Sequence, residues 1–356
     1  MVSLIKTVHL HMKIQNLLFA AAMLPWLISC AQSAKNTMKS VNHSFTAAFY
    51  NVENLYDTKD DPKINDNEFT PSGKVPWTED RLEAKINHVR QVLTDITSPA
   101  MPDLVGLAEI ENKQVLEMLV SSAGINKIKY GIVHYDSPDE RGIDVALLYN
   151  PATFKVISSE PLTVVLPDND LTRDILYVKG KLSTGEILHI FINHWPSRRE
   201  GSEISASKRM TAADVLRAKI DAVQKLEKKS NIIILGDFND EPADISITQG
   251  VKSLNPDQVI TGNKLYSLLY PEFKKGEGSL FYKDWDLFDQ VIVSGNIISA
   301  KKGLSTSVHN AGIFRAEYLL FKNHAGESRP NRTMSGSRYF GGYSDHLPVY
   351  VKFNLN

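Results

Sequence analysis

Near its C-terminal end the chain reads Ser344-Asp345-His346, directly ahead of the apolar run Leu347 to Phe353. An acid beside an imidazole at the mouth of a strand can hold a cation and move a proton near neutral pH. The pattern recurs along the chain. Asn51 follows the apolar stretch Ser44 to Tyr50, Glu109 follows Asp103 to Ala108, and Asn193-His194 follow Glu186 to Ile192. Asp237 and Asn239 follow Ile232 to Leu235, and Asp289 lies at the entry of Leu287 to Val293. Glu140-Arg141 lead into Ile143 to Tyr149, which carries Asp144 near its start.

As a set, these residues have a definite chemistry. The carboxylates and amides suit a hard, oxygen-loving cation such as Mg²⁺. The histidines stand next to acids or amides, which suits proton transfer, and Arg141 can meet a planar oxyanion. Softer ligands are missing: the chain has 1 Cys and no His-Glu-x-x-His, which disfavours a zinc hydrolase. A Gly-x-Ser-x-Gly elbow and a Walker loop are absent, which disfavours acyl-enzyme chemistry and nucleotide cradling. The composite reads as metal-assisted, in-line hydrolysis of a phosphoester.

Strands must carry most of these residues, with few helices between them. Thr78 to Thr97 carries Leu82, Ile86, Val89 and Leu93 at helical spacing behind an N-cap, and Ser205 to Lys228 carries Met210, Leu216, Ile220 and Val223. A short helix is expected over Val115 to Val120. Asp57 to Lys74 reads as a long exposed loop, and Ser305 to Arg338 as loop-rich. Many strands with few helices, and neither repeat nor linker after residue 44, predict one domain with two sheets and flanking helices.

The chain has 356 residues, 42% hydrophobic and 23% charged, with a net charge of −1, so no polyanionic partner is demanded by overall charge. Arg198-Arg199 and Lys208-Arg209 form a local basic run that could grip one. At the N-terminus, Lys6 and Lys13 precede the apolar run Leu17 to Ile28, which ends in Leu27-Ile28-Ser29-Cys30. That is the pattern of a secretory leader too short to span a membrane, and its end resembles the bacterial lipobox, with Met12 as a candidate true start. The expected organisation is a signal peptide over 1–30, a flexible tether over 31–43 and a catalytic domain over 44–356. The product would be an exported lipoprotein of a bacterial cell envelope, periplasmic or at the cell surface, anchored through an acylated Cys30.

Several segments carry a family resemblance: Phe49-Tyr50-Asn51-Val52-Glu53-Asn54, Leu107-Ala108-Glu109-Ile110, Arg141-Gly142-Ile143-Asp144-Val145-Ala146, Asn193-His194-Trp195-Pro196, Gly236-Asp237-Phe238-Asn239, Phe288-Asp289-Gln290-Val291 and Ser344-Asp345-His346-Leu347-Pro348-Val349. In this order the chain resembles the endonuclease/exonuclease/phosphatase superfamily. That group includes pancreatic deoxyribonuclease, exonuclease-III-like repair enzymes, neutral sphingomyelinases and inositol polyphosphate phosphatases. The resemblance implies an α/β fold, a four-layer α/β/β/α sandwich of two mostly antiparallel sheets. It implies Mg²⁺, with Mn²⁺ or Ca²⁺ as alternatives, held by Glu109 with Asn51 and Asp345. It implies His346 at the scissile phosphate, oriented by Asp289, with Asp237 and Asn239 serving the metal or the water. His194 would sit near the leaving group, and Arg141 and Asn193 would contact substrate. A monomer acting on nucleic acid or another phosphodiester is the expected form, with a phosphatase or lipid-headgroup phosphodiesterase as the alternative.

For the remaining residues the bland reading holds. Glu53 and Glu111 are expected at the surface. Asp144 is either functional or a buried acid paired with Arg141 or a backbone N–H. Tyr282 and Trp285 are expected in the core or rim rather than as base-stacking platforms, and His134, His189, His309 and His324 are expected to be structural.

Overall fold

The structure, a computed structural model, describes residues 43–355 apart from 168, 169, 200 and 325. The leader with Cys30, and all of the tether except His43, lie outside the described residues. In chain order the first sheet begins with β1 (His43–Leu55), β2 (Leu104–Ile110), β3 (Gly131–His134) and β4 (Asp144–Tyr149). The second sheet takes β5 (Phe154–Leu162), β6 (Ile175–Leu182), β7 (Ile187–His194), β8 (Asn231–Asp237), β9 (Ser253–Leu254), β10 (Leu265–Ser267) and β11 (Asp289–Ser294). The chain then returns to the first sheet with β12 (Leu304–Ser305), β13 (Ala311–Ile313) and β14 (Val349–Leu355). Both are 7-stranded sheets, ordered β12-β14-β1-β2-β4-β3, with β13 also on β14, and β5-β6-β7-β8-β11-β10-β9.

The interior strands β2, β7 and β8 are buried on both faces, which explains their continuous apolar runs, whereas the last strand alternates buried and exposed positions. Phe45, Ala47 and Phe49 of β1 meet Ile190, Leu235 and Val293 of the other sheet in a central core. Tyr50 and Val52 point the other way, against Leu82, Ile86 and Val89 of helix α1 (Glu79–Asp95) and Val115 and Leu119 of α2 (Lys113–Ser121). On the far side, Ile232 and Ile234 lie under Ala213, Leu216 and Ile220 of α3 (Ser202–Leu226). Helix, sheet, sheet and helix thus stack in four layers, as expected. The elements differ in detail from the sequence reading. β1 runs through Asn51 to Leu55, α3 starts at Ser202, and the segment expected to be loop-rich holds two hairpins, Leu320–Lys322 with Ser328–Pro330 and Met334–Ser335 with Arg338–Tyr339.

Strand direction places the chemistry. β1 and β2 are parallel, as are β7 and β8, so each pair ends at one edge. β4 and β11 are antiparallel to these neighbours and begin at that edge.

Candidate active site

The clearest part of the site is a row across three strands. His194 at the end of β7 is in register with Asp237 at the end of β8, which is in register with Asp289 at the start of β11. Residues paired this way share a sheet face, so three polar groups lie side by side where the apolar runs stop. His346 comes to them from the other sheet. Its Nδ1 is 2.7 Å from Asp289 Oδ2, and its Nε2 is 3.7 Å from Asp237 Oδ2. His194 Nε2 lies 3.6 Å from the same Asp237 oxygen, and Asn51 Nδ2 donates to it at 3.1 Å. Asn239 donates its backbone N–H to Asp237 Oδ1 at 2.9 Å. Asp237 is therefore the hub, and Asn51 is the link between sheets.

The His346 loop is fastened from several directions. The Ser344 hydroxyl donates to Asn51 O at 2.8 Å and accepts His346 N–H at 3.0 Å. Leu347 N–H donates to Ser279 O at 2.7 Å, and Leu280 forms a β-bridge with His346.

Burial and charge separate the two histidines. Burial disfavours the His346 imidazolium, but Asp289 and Asp237 outweigh it and hold the pKa well above the ordinary value. His194 goes the other way: burial, then the positive Arg173, Arg141 and His346, push it well below. The surroundings thus favour the charged form of His346 and the neutral form of His194. Burial raises Asp237 to about 6, opposed by His346 and assisted by Asp289. Such a split between neighbouring groups assigns donor and acceptor roles.

Glu109 stands apart from this row. It falls where the β1–β2 register shifts, and takes φ +63, as Glu53 and Asn54 across from it take φ 53 and 59. Left-handed backbone at non-glycine residues costs about 1–3 kcal/mol each and re-aims side chains at a bulge. Glu109 Oε2 accepts Asn54 N–H at 2.9 Å and lies 3.8 Å from Arg141 Nη2. Arg141 also donates to Asn54 Oδ1, so guanidinium and carboxylate are held against one support.

Two groups of donors could take a cation. Asp237, Asp289 and His346 offer ligand atoms within 4.8 Å of one another. His346 Nδ1 is engaged by Asp289, which leaves only Nε2 of that ring to face a cation there. Glu109 offers a single hard, incompletely buried carboxylate of the kind a hydrated divalent cation takes, with Arg141 beside it. Asp345 is half-buried and paired with Arg332 at 2.9 Å. A third cluster, His134, Asp136 and Asp144, is a satisfied structural pair: Asp144 receives His134 Nε2 at 3.0 Å and Ser137 N–H at 2.8 Å. Of the partners expected for a buried Asp144, the backbone N–H is found at Ser137, while His134 stands where Arg141 was expected.

Other expectations are corrected. Asn193 is fully buried, donates to Leu235 O at 3.2 Å and accepts Trp195 Nε1–H at 3.1 Å, so its amide serves the scaffold. The basic run is mostly spent internally. Arg198 pairs with Asp240 and Asp244 at 2.7 and 2.5 Å, Lys208 with Asp170 at 2.6 Å, and buried Arg209 with Asp240 at 2.7 Å. Only Arg199 of that run is exposed without an ion pair among the described residues. Glu53 and Glu111, expected at the surface, are buried. Glu53 accepts N–H groups from Thr333 at 2.6 Å and Met334 at 3.1 Å.

Two supporting residues escaped sequence reasoning. Buried Lys85 of α1 donates to Thr333 Oγ1 at 2.5 Å and Tyr343 O at 2.7 Å, tying the hairpin before Asp345 to the helix layer. Its place between Leu82 and Val89 on the apolar face was the available signal. Arg173 donates to His194 O at 3.2 Å, Trp195 O at 2.6 Å and Asp139 Oδ2 at 3.0 Å, and nothing in its local sequence marks it.

The sequence profile described as the Endonuclease/Exonuclease/phosphatase family matches residues 46–355. No curated protein matches the chain. Among solved structures, TDP2 of D. rerio complexed with single strand DNA product is similar at 16% identity and TM-score 0.54, covering 88% of this chain and 100% of its own. A mannosyl-6-phosphatase of Bacteroides thetaiotaomicron is similar at 16% identity and TM-score 0.54, covering 87% and 99%. The human Nocturnin catalytic domain with bound sulfate anion gives 14% identity and TM-score 0.53, covering 89% and 97%. At these identities the likeness is one of fold.

Proposed function

The chain belongs to the endonuclease/exonuclease/phosphatase family, and from that premise we propose that it is a divalent-metal-dependent phosphoesterase cleaving phosphodiester bonds in nucleic acid. The observation that carries this reading is the convergence on Asp237 Oδ2 of His346, His194 and Asn51, with Asp289 behind His346. Glu109, supported by Asn51 and Asp345, would hold the cation, Mg²⁺ by the hardness of the donors. When bound, the metal supplies charge neutralisation at the phosphoryl oxygens. His346, kept cationic by Asp289, donates a hydrogen bond to a non-bridging oxygen and follows the charge that develops there. Asp237, ionised above about pH 6, accepts the proton of the attacking water, and Asn51 and Asn239 hold its carboxylate in place. Neutral His194 lies on the other side of Asp237, where it can donate a hydrogen bond toward the leaving oxygen, which takes its proton from solvent water as the P–O bond breaks. Arg141 faces the same region and offers a planar pair of donors to the substrate phosphate.

Phosphomonoester hydrolysis is the second reading. It draws support from the internally paired basic run, which leaves no continuous cationic track for a long duplex. The testing experiment assays plasmid DNA, RNA, sphingomyelin and inositol phosphates side by side, with Mg²⁺ and with EDTA. Metal-dependent cleavage of the polynucleotides is expected. Turnover of inositol phosphates alone would replace this reading with the second. Folded Glu109→Gln and His346→Ala proteins that turn over normally in excess Mg²⁺ would overturn the site assignment. We propose in addition export and acylation at Cys30, which metabolic labelling with palmitate and loss of label in Cys30→Ser would test.

A further inference from the structure

Resting on the phosphodiesterase reading, we propose that the hairpin Leu280–Phe281/Trp285–Asp286 is a stacking platform that receives an unpaired base of a single-stranded nucleic acid beside the scissile phosphate, with Tyr282 as the base-contacting residue. The hairpin is rooted in the candidate site at both ends. Ser279 accepts Leu347 N–H on its carbonyl and Asp289 N–H on its hydroxyl at 3.1 Å, and Leu280 is bridged to His346. Tyr282 opens the bend that follows this strand, two residues beyond Leu280, so the chain's reach keeps its Cα within about 7 Å of that of Leu280.

The platform is stiff. Phe281 and Trp285 pair across the strands with ring centroids 5.4 Å apart. Arg315 lies over the Trp285 ring at 3.9 Å and Arg329 over Phe281 at 4.7 Å, so both inner aromatics are braced by guanidinium groups. At the tip, Tyr282 is 77% exposed, and Lys283 beside it is exposed as well. A large aromatic ring held in water on a braced hairpin, with an ammonium next to it, matches what a strand offers on either side of a phosphate: a base face and another negative charge. A duplex does not offer a free base face, which is why the match is to single strands.

The test measures binding by fluorescence anisotropy in EDTA, using a labelled single-stranded oligonucleotide and an abasic strand of equal length. Tyr282→Ala is expected to weaken binding of the base-bearing strand by about 5- to 150-fold, the range of one base–aromatic stack, and to erase the preference over the abasic strand. Tyr282→Phe, which keeps the ring, should retain the preference. Equal weakening of both strands, or no change in either, overturns the platform. Wild-type protein that binds with the base preference but cleaves no strand in Mg²⁺ would leave the platform standing and remove the function it rests on.

Discussion

The Asp289→Asn variant addresses the centre of the proposed chemistry. Asp289 is fully buried and touches His346 Nδ1 at 2.7 Å, so the amide fits the same space while removing the charge. A hydrogen bond between charged groups contributes about 1.5–3 kcal/mol, equivalent to roughly 10- to 150-fold in rate if it acts on the transition state. If the amide also turns the imidazole into the other tautomer, the loss can approach ~10⁴-fold. The pH profile gives a sharper reading. In the wild type, the acid limb belongs to Asp237 at about 6, and the alkaline limb to His346, whose pKa is held high by Asp289 and Asp237. Asp289 raises both groups: it repels the ionised form of Asp237 and favours the charged form of His346. Removing it lets both pKa values fall, so both limbs move toward acid. The assay is kcat across pH on an oligonucleotide at saturating Mg²⁺, with far-UV circular dichroism as the folding control. A folded variant with kcat within about threefold of wild type, or with its alkaline limb unmoved, refutes the reasoning.

Two further predictions follow from packing. Arg173→Met should cost about 3–5 kcal/mol in urea unfolding, because it strands buried Asp139 and frees the carbonyls of His194 and Trp195; NMR titration should also find the His194 pKa raised toward its ordinary value, since Arg173 is among the charges that depress it. In Gly236→Ala the new Cβ would meet Asn193 Cβ at 2.5 Å and its carbonyl oxygen at 2.6 Å, so the β7–β8 pair must shift; a loss of about 1–3 kcal/mol is expected in denaturant titration, and an unchanged midpoint would contradict the close approach.

The legibility of this molecule in its sequence followed strand ends. His194, Asp237, Asp289 and His346 could be recognised because each interrupts a continuous apolar run, and interior strands leave few other reasons for a charge there. Two sheets with flanking helices were readable from the many strands and few helices, and the four-layer order came from the family resemblance. What the sequence concealed was commitment. Asn193 looks like Asn51, yet one amide is tied into its own sheet while the other reaches across to Asp237. Arg198 and Arg209 look like a cationic face, but acids from the segment after β8 claim them. Glu53 and Glu111 sit in polar surroundings in the chain and in buried ones in space, where Glu53 accepts the Thr333 and Met334 N–H groups and Glu111 accepts that of Asp57. Arg173 donates to partners more than 20 residues away, and no local pattern records that.

The placement of β14 beside β1 has a temporal meaning. His346 reaches the site through Ser344, whose hydroxyl bonds to Asn51 O across 293 residues of sequence. Contacts that distant close last, because loop closure must precede them. A chain whose last strand has not yet docked therefore lacks its imidazole next to Asp289, however well β1 to β11 have formed. The His346–Asp289–Asp237 arrangement is therefore a property of the fully docked C-terminal strand.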